Sequence, residues 1–417
     1  MHREFFINFA VITRIYYPKT DNPNMNQPLS KPKRVAALDV LRAITMTLML
    51  FVNDFAGIPD IPYWLHHAKM TEDMMGFSDV VFPAFIFCMG MSVVLAIDAR
   101  YSKGDSSLAV ISHIFWRTVA LIVMGLFTLN CSSVGVLSYN VFVLLMVLGF
   151  FLVWGVYPRC TGWKHHLITA LKTIGVLLLA ALVLYKDVNG QPFRTGWWGI
   201  LGLIGFTYAV CAVIYIFARK SYNACLIAWG VLLVLMLGGH SELIPYDYAT
   251  RVVWLTFIPG DMTQHFLGFS GVMTILTIRR FGHNPSRMLG LFATAGVAML
   301  VAGLLSHPYW IISKILATPT WGFFCLAMFF PASGFLYWLC DMRGKSNWFN
   351  IIRPAGTATL TCYIIPYVWY SVMGLFHLHY PALFNHGYTG LVRSAIFAIV
   401  VVMLTGLLSR AHIKLKV

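Results

Sequence analysis

Acidic residues are scarce in this chain. Of 417 residues only 15 are Asp or Glu, and charged residues of both signs make up 11%. Hydrophobic residues make up 59%. A water-soluble domain of this length cannot hide so much apolar surface, which excludes the soluble classes. No CxxC spacing occurs among the eight cysteines, and most, such as Cys88, Cys211 and Cys362, sit inside apolar runs. That pattern points to core packing rather than to disulfides or metal ligation. No internal repeat stands out, which disfavours the inverted-repeat transporter designs. No secretory signal is expected either. The apolar stretch "FFINFAVI" is too short to span a bilayer and is bracketed by Arg3 and Arg14.

What the chain does have is apolar runs. Crossing the hydrocarbon core takes about 20 apolar residues in helical form. Twelve such spans are expected, near 35–53, 77–97, 109–130, 138–157, 166–186, 197–218, 222–239, 262–279, 288–306, 320–340, 355–375 and 390–409. The expected fold is therefore all-α, a polytopic membrane helical bundle. Residues 1–34 read as a flexible cytoplasmic leader and residues 35–417 as one transmembrane domain.

The net charge of +15 is distributed in a way that argues against nucleic acid. Basic clusters such as Arg100/Lys103, Arg219/Lys220, Arg279/Arg280/Arg287 and Arg410/Lys414/Lys416 fall in alternate loops. By the positive-inside rule those loops and both termini are cytoplasmic. Five acids, Asp54, Asp60, Glu72, Asp73 and Asp79, fall instead between spans one and two, on the outer side.

The same outer segment carries "PYWLHHAKM", with His66 and His67 adjacent. Histidine beside Tyr63 and Trp64 is compatible with an interfacial aromatic anchor. It is also the side chain best suited to move a proton near neutral pH. Ionisable groups at membrane depth are costly, so each is a candidate for function or for pairing. Asp39 and Arg42 lie at i,i+3 near the inner end of span one and can pair on one helix face. Alternatively, Arg42 and Arg117 face an anionic ligand entering from the cytoplasm. Asn53 and Asp54 end span one. Asp79 opens span two, where a helix cap is the plain alternative. Asp261 and His265 stand at i,i+4 at the start of span eight, and Lys314 flanks the entrance to span ten. His377, His379 and His386 crowd the last outer loop with a weak metal-like spacing, better read as a solvated loop. No metal is expected.

Two stretches carry a family likeness. "RVAALDVLRAITMTLMLFVND" and "WLHHAKMTEDMMGFSDVVFPAFIFCMGMSVVLAI" resemble the start of the heparan-α-glucosaminide N-acetyltransferase family, its bacterial inner-membrane members above all. "WWGILGLIG", "SKILATPTW" and "GTATLTCYII" extend the likeness in diverged form, with Thr357–Ala358 after Gly356 where the family has Met-Asn. The resemblance implies acetyl transfer from cytoplasmic acetyl-CoA to the amine of a glucosamine-type sugar across the membrane. It implies a catalytic role for His67, which precedes Ala68 as the family's histidine precedes alanine, with Asn53 matching the family's partner asparagine.

On this reading His67 is a general base or carries the acetyl group covalently. Asn53 orients the ring or polarises the thioester, and Asp79 holds the tautomer or binds sugar. Arg42, Arg117 and Asp39 are the expected acetyl-CoA contacts. Asp54, His66, Asp261, His265 and Lys314 are the expected acceptor contacts. Expected partners are the lipid bilayer, acetyl-CoA and an amino-sugar or glycan acceptor, with a homodimer left open. The competing readings are an amino-sugar transporter and an O-acetyltransferase of an envelope glycan.

Overall fold

Long apolar stretches bounded by Ser, Asn, Thr and Pro form helices where the sequence predicts them. The computed structural model describes residues 35–131, 137–158, 161–184, 191–241 and 261–417. The proposed leader lies outside the described residues.

Among the described residues there are twelve helices of 16 residues or more. They are α1 (Ala36–Phe55), α2 (Ser78–Tyr101), α3 (Ser107–Leu129), α4 (Tyr139–Trp154), α5 (Trp163–Leu184), α6 (Gly199–Ala218), α7 (Tyr222–His240), α8 (Asp261–Phe281), α9 (Pro285–Ser306), α10 (Pro319–Tyr337), α11 (Thr359–Leu375) and α12 (Gly387–Arg410). Among the described residues there is no β-strand, only one isolated bridge between Gly155 and Leu415. The protein is an all-α multi-pass membrane bundle. Nine of its described helices are long and apolar enough to cross a membrane. Helices α4 and α11 are apolar but shorter. Helix α8 differs from the nine because Thr263, Gln264, His265, Ser270 and Thr274, all buried, run along it.

Caps fix several helix starts. Ser106 Oγ accepts the Ala109 amide at 3.2 Å, and Asn284 Oδ1 accepts the Arg287 amide at 3.0 Å. Helix α1 is capped from elsewhere in the chain. After α10 the backbone widens into a π-turn at Trp338–Met342, and Asp341 accepts the Ala36 and Ala37 amides at 2.8 and 2.7 Å.

Packing inside lipid cannot rely on expelling water between helices, so close backbone approach matters more. Helix α2 lies at the centre, against α1, α6 and α8. Its Gly90 meets Gly268 of α8 so closely that a Cβ on Gly90 would fall 1.7 Å from the Gly268 carbonyl oxygen. Helices α9 and α10, α3 and α6, and α4 and α5 pair in the same way around it.

The two ends of the bundle gather different residues. One end joins the loop 56–77, the loop 307–318 and the start of α12. The other joins the ends of α2, α6 and α8, with the C-terminal segment laid beside α4 through Val156, Lys414 and Trp154.

Candidate functional site

The loop 56–77 folds back on itself before α2 begins. Phe77 donates its amide to the Trp64 carbonyl at 2.7 Å, and Ser78 Oγ donates to the Leu65 carbonyl at 2.5 Å. Gly76 makes this possible. A Cβ there would fall 1.8 Å from the His66 carbonyl oxygen, so no other residue fits. The fold-back brings His67 over the first turn of α2.

Asp79 organises what it meets. Its side chain is 2% exposed. Oδ2 accepts the amides of Ala68 at 3.0 Å and Gly76 at 3.1 Å. Oδ1 lies 2.7 Å from His67 Nδ1. An ionised carboxylate only accepts, so this contact places the proton on Nδ1 and leaves the lone pair of the neutral ring on Nε2. Trp321, buried at the start of α10, donates its indole N–H to the Asp79 carbonyl at 3.2 Å. The His67 side chain is 41% exposed, so the ring is held from behind and open in front.

Lys314 completes the group. Its Nζ lies 3.2 Å from His67 Nδ1 and 3.7 Å from Asp79 Oδ1. Because Nδ1 donates to Asp79, the ammonium is bound through the carboxylate rather than through the ring. Burial pulls the Lys314 pKa below its ordinary value, and the Asp79 carboxylate opposes that pull.

The catalytic candidate Asn53 and the remaining expected acceptor contacts are placed differently. Asn53 is exposed and its side chain makes no hydrogen bond among the described residues; the imidazole of His67 is bonded to Asp79 instead. The His66 ring is half-buried and likewise makes none. Asp54 is committed elsewhere: Arg393 Nη2 of α12 donates to its Oδ2 at 3.0 Å, with the Asp54 side chain buried and that of Arg393 partly so. Arg393 also donates to Asn385 Oδ1 at 2.6 Å and lies over the Tyr380 ring. His265 is fully buried along α8, and its main-chain carbonyl faces Cys211. The side chain of Asp261 lies outside the described residues.

Most acids from the end of α1 to the start of α2 have a basic or hydrogen-bonding partner. Asp54 pairs with Arg393, Glu72 with Lys69, Asp73 with His307 and Asp79 with Lys314. The local bias toward a cationic acceptor is therefore smaller than the count of acids suggests.

Arg42 and Arg117 do come together. Both line a void of about 130 Å³ with Met46, Met49, Phe85, Cys88 and Tyr363. Arg42 Nη2 donates to Asp39 Oδ1 at 2.6 Å, and Arg117 stacks over the Tyr208 ring at 4.7 Å. The Nε of each is buried without a hydrogen-bond partner among the described residues. Two guanidinium groups with unused donors on a mainly apolar void suit an anion carrying an apolar arm. Asp39 itself lines a neighbouring hollow of about 320 Å³ with Ser346, Asn347, Asn350 and Arg353. Phe85 stands six residues from Asp79 on α2, so the void ends about 9 Å from the His67 site along that helix.

The multi-pass bundle thus carries a histidine held by a buried carboxylate, a lysine beside the same carboxylate, and a void lined by two arginines. The comparisons with known proteins point to a narrower class. Residues 34–240 match the family described as a domain of unknown function (DUF5009). The chain is 33% identical to heparan-alpha-glucosaminide N-acetyltransferase of Homo sapiens over 111 residues, which are 26% of this chain and 16% of that protein. It is 30% identical to the Mus musculus protein of the same name over 126 residues, 30% of this chain and 17% of that one. The resemblance read from the sequence is thus shown, and the match spans about a sixth of these curated relatives.

Proposed function

We propose that this protein is a transmembrane acetyltransferase. It moves an acetyl group from cytoplasmic acetyl-CoA to the amine of a glucosamine-type sugar on the opposite, periplasmic side of a bacterial inner membrane. The observation that carries the reading is the Asp79–His67 pair, with Nδ1 held and Nε2 presented. The names of the two relatives support acetyl transfer as the reaction class. The topology follows the positive-inside distribution, with both termini cytoplasmic and His67 outside.

In this mechanism the acceptor amine attacks the thioester carbonyl. The C–N bond forms, the C–S bond breaks, and Nε2 of His67 takes the amine proton. That proton then passes to the departing thiolate. General base catalysis of this kind contributes about 10²–10⁴-fold. Asp79 stabilises the imidazolium that forms, and Lys314 lies beside the same carboxylate. The guanidinium groups of Arg42 and Arg117 hold the phosphates of the donor, and the apolar lining of the void accommodates its arm.

The pairing of the outer acids keeps a second reading in play, an O-acetyltransferase acting on a glycan hydroxyl. The test is a sided one. Protein reconstituted in vesicles receives acetyl-labelled acetyl-CoA on one side and glucosamine or a hydroxyl-bearing glycan on the other. Labelled N-acetylglucosamine on the acceptor side is the expected result. Product only with the hydroxyl acceptor favours the second reading. Glucosamine crossing the membrane unmodified, with no donor used, overturns both in favour of a transporter.

A further inference from the structure

We propose that Asp73 and His307 form a clamp that positions Lys314 on the His67–Asp79 pair, making Asp73 a positioning residue for the reaction. The inference rests on the reading of His67 as the catalytic base. Two outer loops supply the working groups, 56–77 with His67 and 307–318 with Lys314. They are far apart in sequence, so something must set their register.

Asp73 bridges the gap. Its Oδ1 accepts the Ile312 amide at 2.7 Å, and its Oδ2 accepts from His307 Nε2 at 2.7 Å. Two longer bonds run alongside, from the Met74 amide to the Ile312 carbonyl at 3.3 Å and from Ser313 Oγ to the Met70 carbonyl at 3.4 Å. The carboxylate therefore makes the short contacts across the seam. Ile312 precedes Lys314 by two residues, so fixing its amide fixes where the lysine stem starts.

The clamp sits at the rim, not in the core. The side chains of Asp73 and His307 are 43% and 41% exposed, whereas that of Lys314 is 24% exposed. Removing a rim carboxylate leaves the buried helix contacts in place. What it frees is the loop, and with it an amine kept from water only while the loop stays seated. Asp73 makes no hydrogen bond or ion pair with His67 or Lys314 among the described residues, so its effect on transfer runs through the loop 307–318 that it holds at Ile312 and His307.

The deciding experiment reads Lys314 directly. Purified wild type, Asp73→Ala and Asp73→Asn are treated with a small water-soluble acetylating ester, and labelling is followed by mass spectrometry. Exposed Lys345, in the loop after α10, is the internal reference. Labelling of Lys314 relative to Lys345 should rise about five-fold in Asp73→Ala. It should stay near wild type in Asp73→Asn, whose amide oxygen still accepts from Ile312. In parallel, kcat should fall about ten-fold in Asp73→Ala with KM for acetyl-CoA unchanged, and Asp73→Asn should restore most of it. Unchanged Lys314 labelling in Asp73→Ala overturns the clamp, including the case where kcat and thermal stability fall together. Should Asp73→Ala fail to fold, His307→Leu removes half the clamp and should give an intermediate rise; no rise overturns the proposal. Absence of transfer in wild type would sink the acetyltransferase reading, while the labelling ratio would still decide whether the clamp exists.

Discussion

Helix α2 carries a carboxylate near each end, and the two are used in opposite ways. At its end, Asp98 accepts the Tyr215 hydroxyl on both oxygens, at 3.0 and 2.9 Å. Arg279 of α8 donates to it, and Arg219 lies 3.7 Å away while stacking on the Tyr101 ring. Every group there meets an opposite charge or a hydrogen-bond partner. At its start, Asp79 also has a cation, but it additionally holds an imidazole whose second nitrogen it leaves unused. The difference teaches that an ion-paired acid in a membrane bundle is not by itself a sign of chemistry. Asp98 ties three helices together, whereas Asp79 holds a ring that is open on one face and that the proposed mechanism turns toward a substrate. What separates them is a titratable partner with one face open.

Substitutions can break that comparison. Next to the loss of His67 itself, the largest effect belongs to Asp79→Asn. Its amide cannot replace both oxygens, so Nδ1 loses its orienting acceptor and transfer should fall about 10²-fold while the helices remain formed. The measurement is kcat per folded molecule, with folding followed by circular dichroism. Asp98→Asn should do the reverse. It should lower thermal stability, by about 1–3 kcal/mol given the partial exposure of the group, yet leave kcat within about two-fold. Equal losses of activity from the two variants would erase the distinction.

Lys314→Met should reduce kcat about ten-fold, or 1.4 kcal/mol, by removing the cation beside the Asp79–His67 pair. Steady-state kinetics at pH 7 would check this, and no change would remove Lys314 from the site. The smallest effect is on acid stability. The Ile312 amide and then His307 hold the Asp73 carboxyl below its ordinary value. A depressed folded-state pKa gives stability that is fully present above the unfolded value, about 3.9, and lost as pH falls through the folded one. Asp73→Asn should therefore flatten the acid limb of melting temperature against pH. An unaltered limb would show that the group contributes nothing there.

The helices were largely legible because apolar runs bounded by capping residues leave little choice in lipid. Helix α8 was legible as a helix, but its buried polar row sets it apart from the nine more apolar spans. The site was legible only in part. His67 and Asp79 lie twelve residues apart, close enough for one loop and one helix turn to suggest a meeting. Lys314 was noticed for its place before span ten, but its contact with His67 across 247 residues has no local signal. The same holds for Arg393, which claims Asp54 across 339 residues, and for Asp73 and His307 across 234. Asn53 and His265 drew notice by residue type and position. Exposure of the first and full burial of the second are set by packing, which sequence periodicity does not report.

One measurement reaches the central claim most directly. Wild type and His67→Ala, purified in detergent, are each given acetyl-labelled acetyl-CoA and glucosamine, with donor binding measured in the same samples. Labelled N-acetylglucosamine from wild type, a loss of about 10²–10⁴-fold in His67→Ala and unchanged donor binding are the predicted result. Transfer by His67→Ala within a few-fold of wild type would contradict the account.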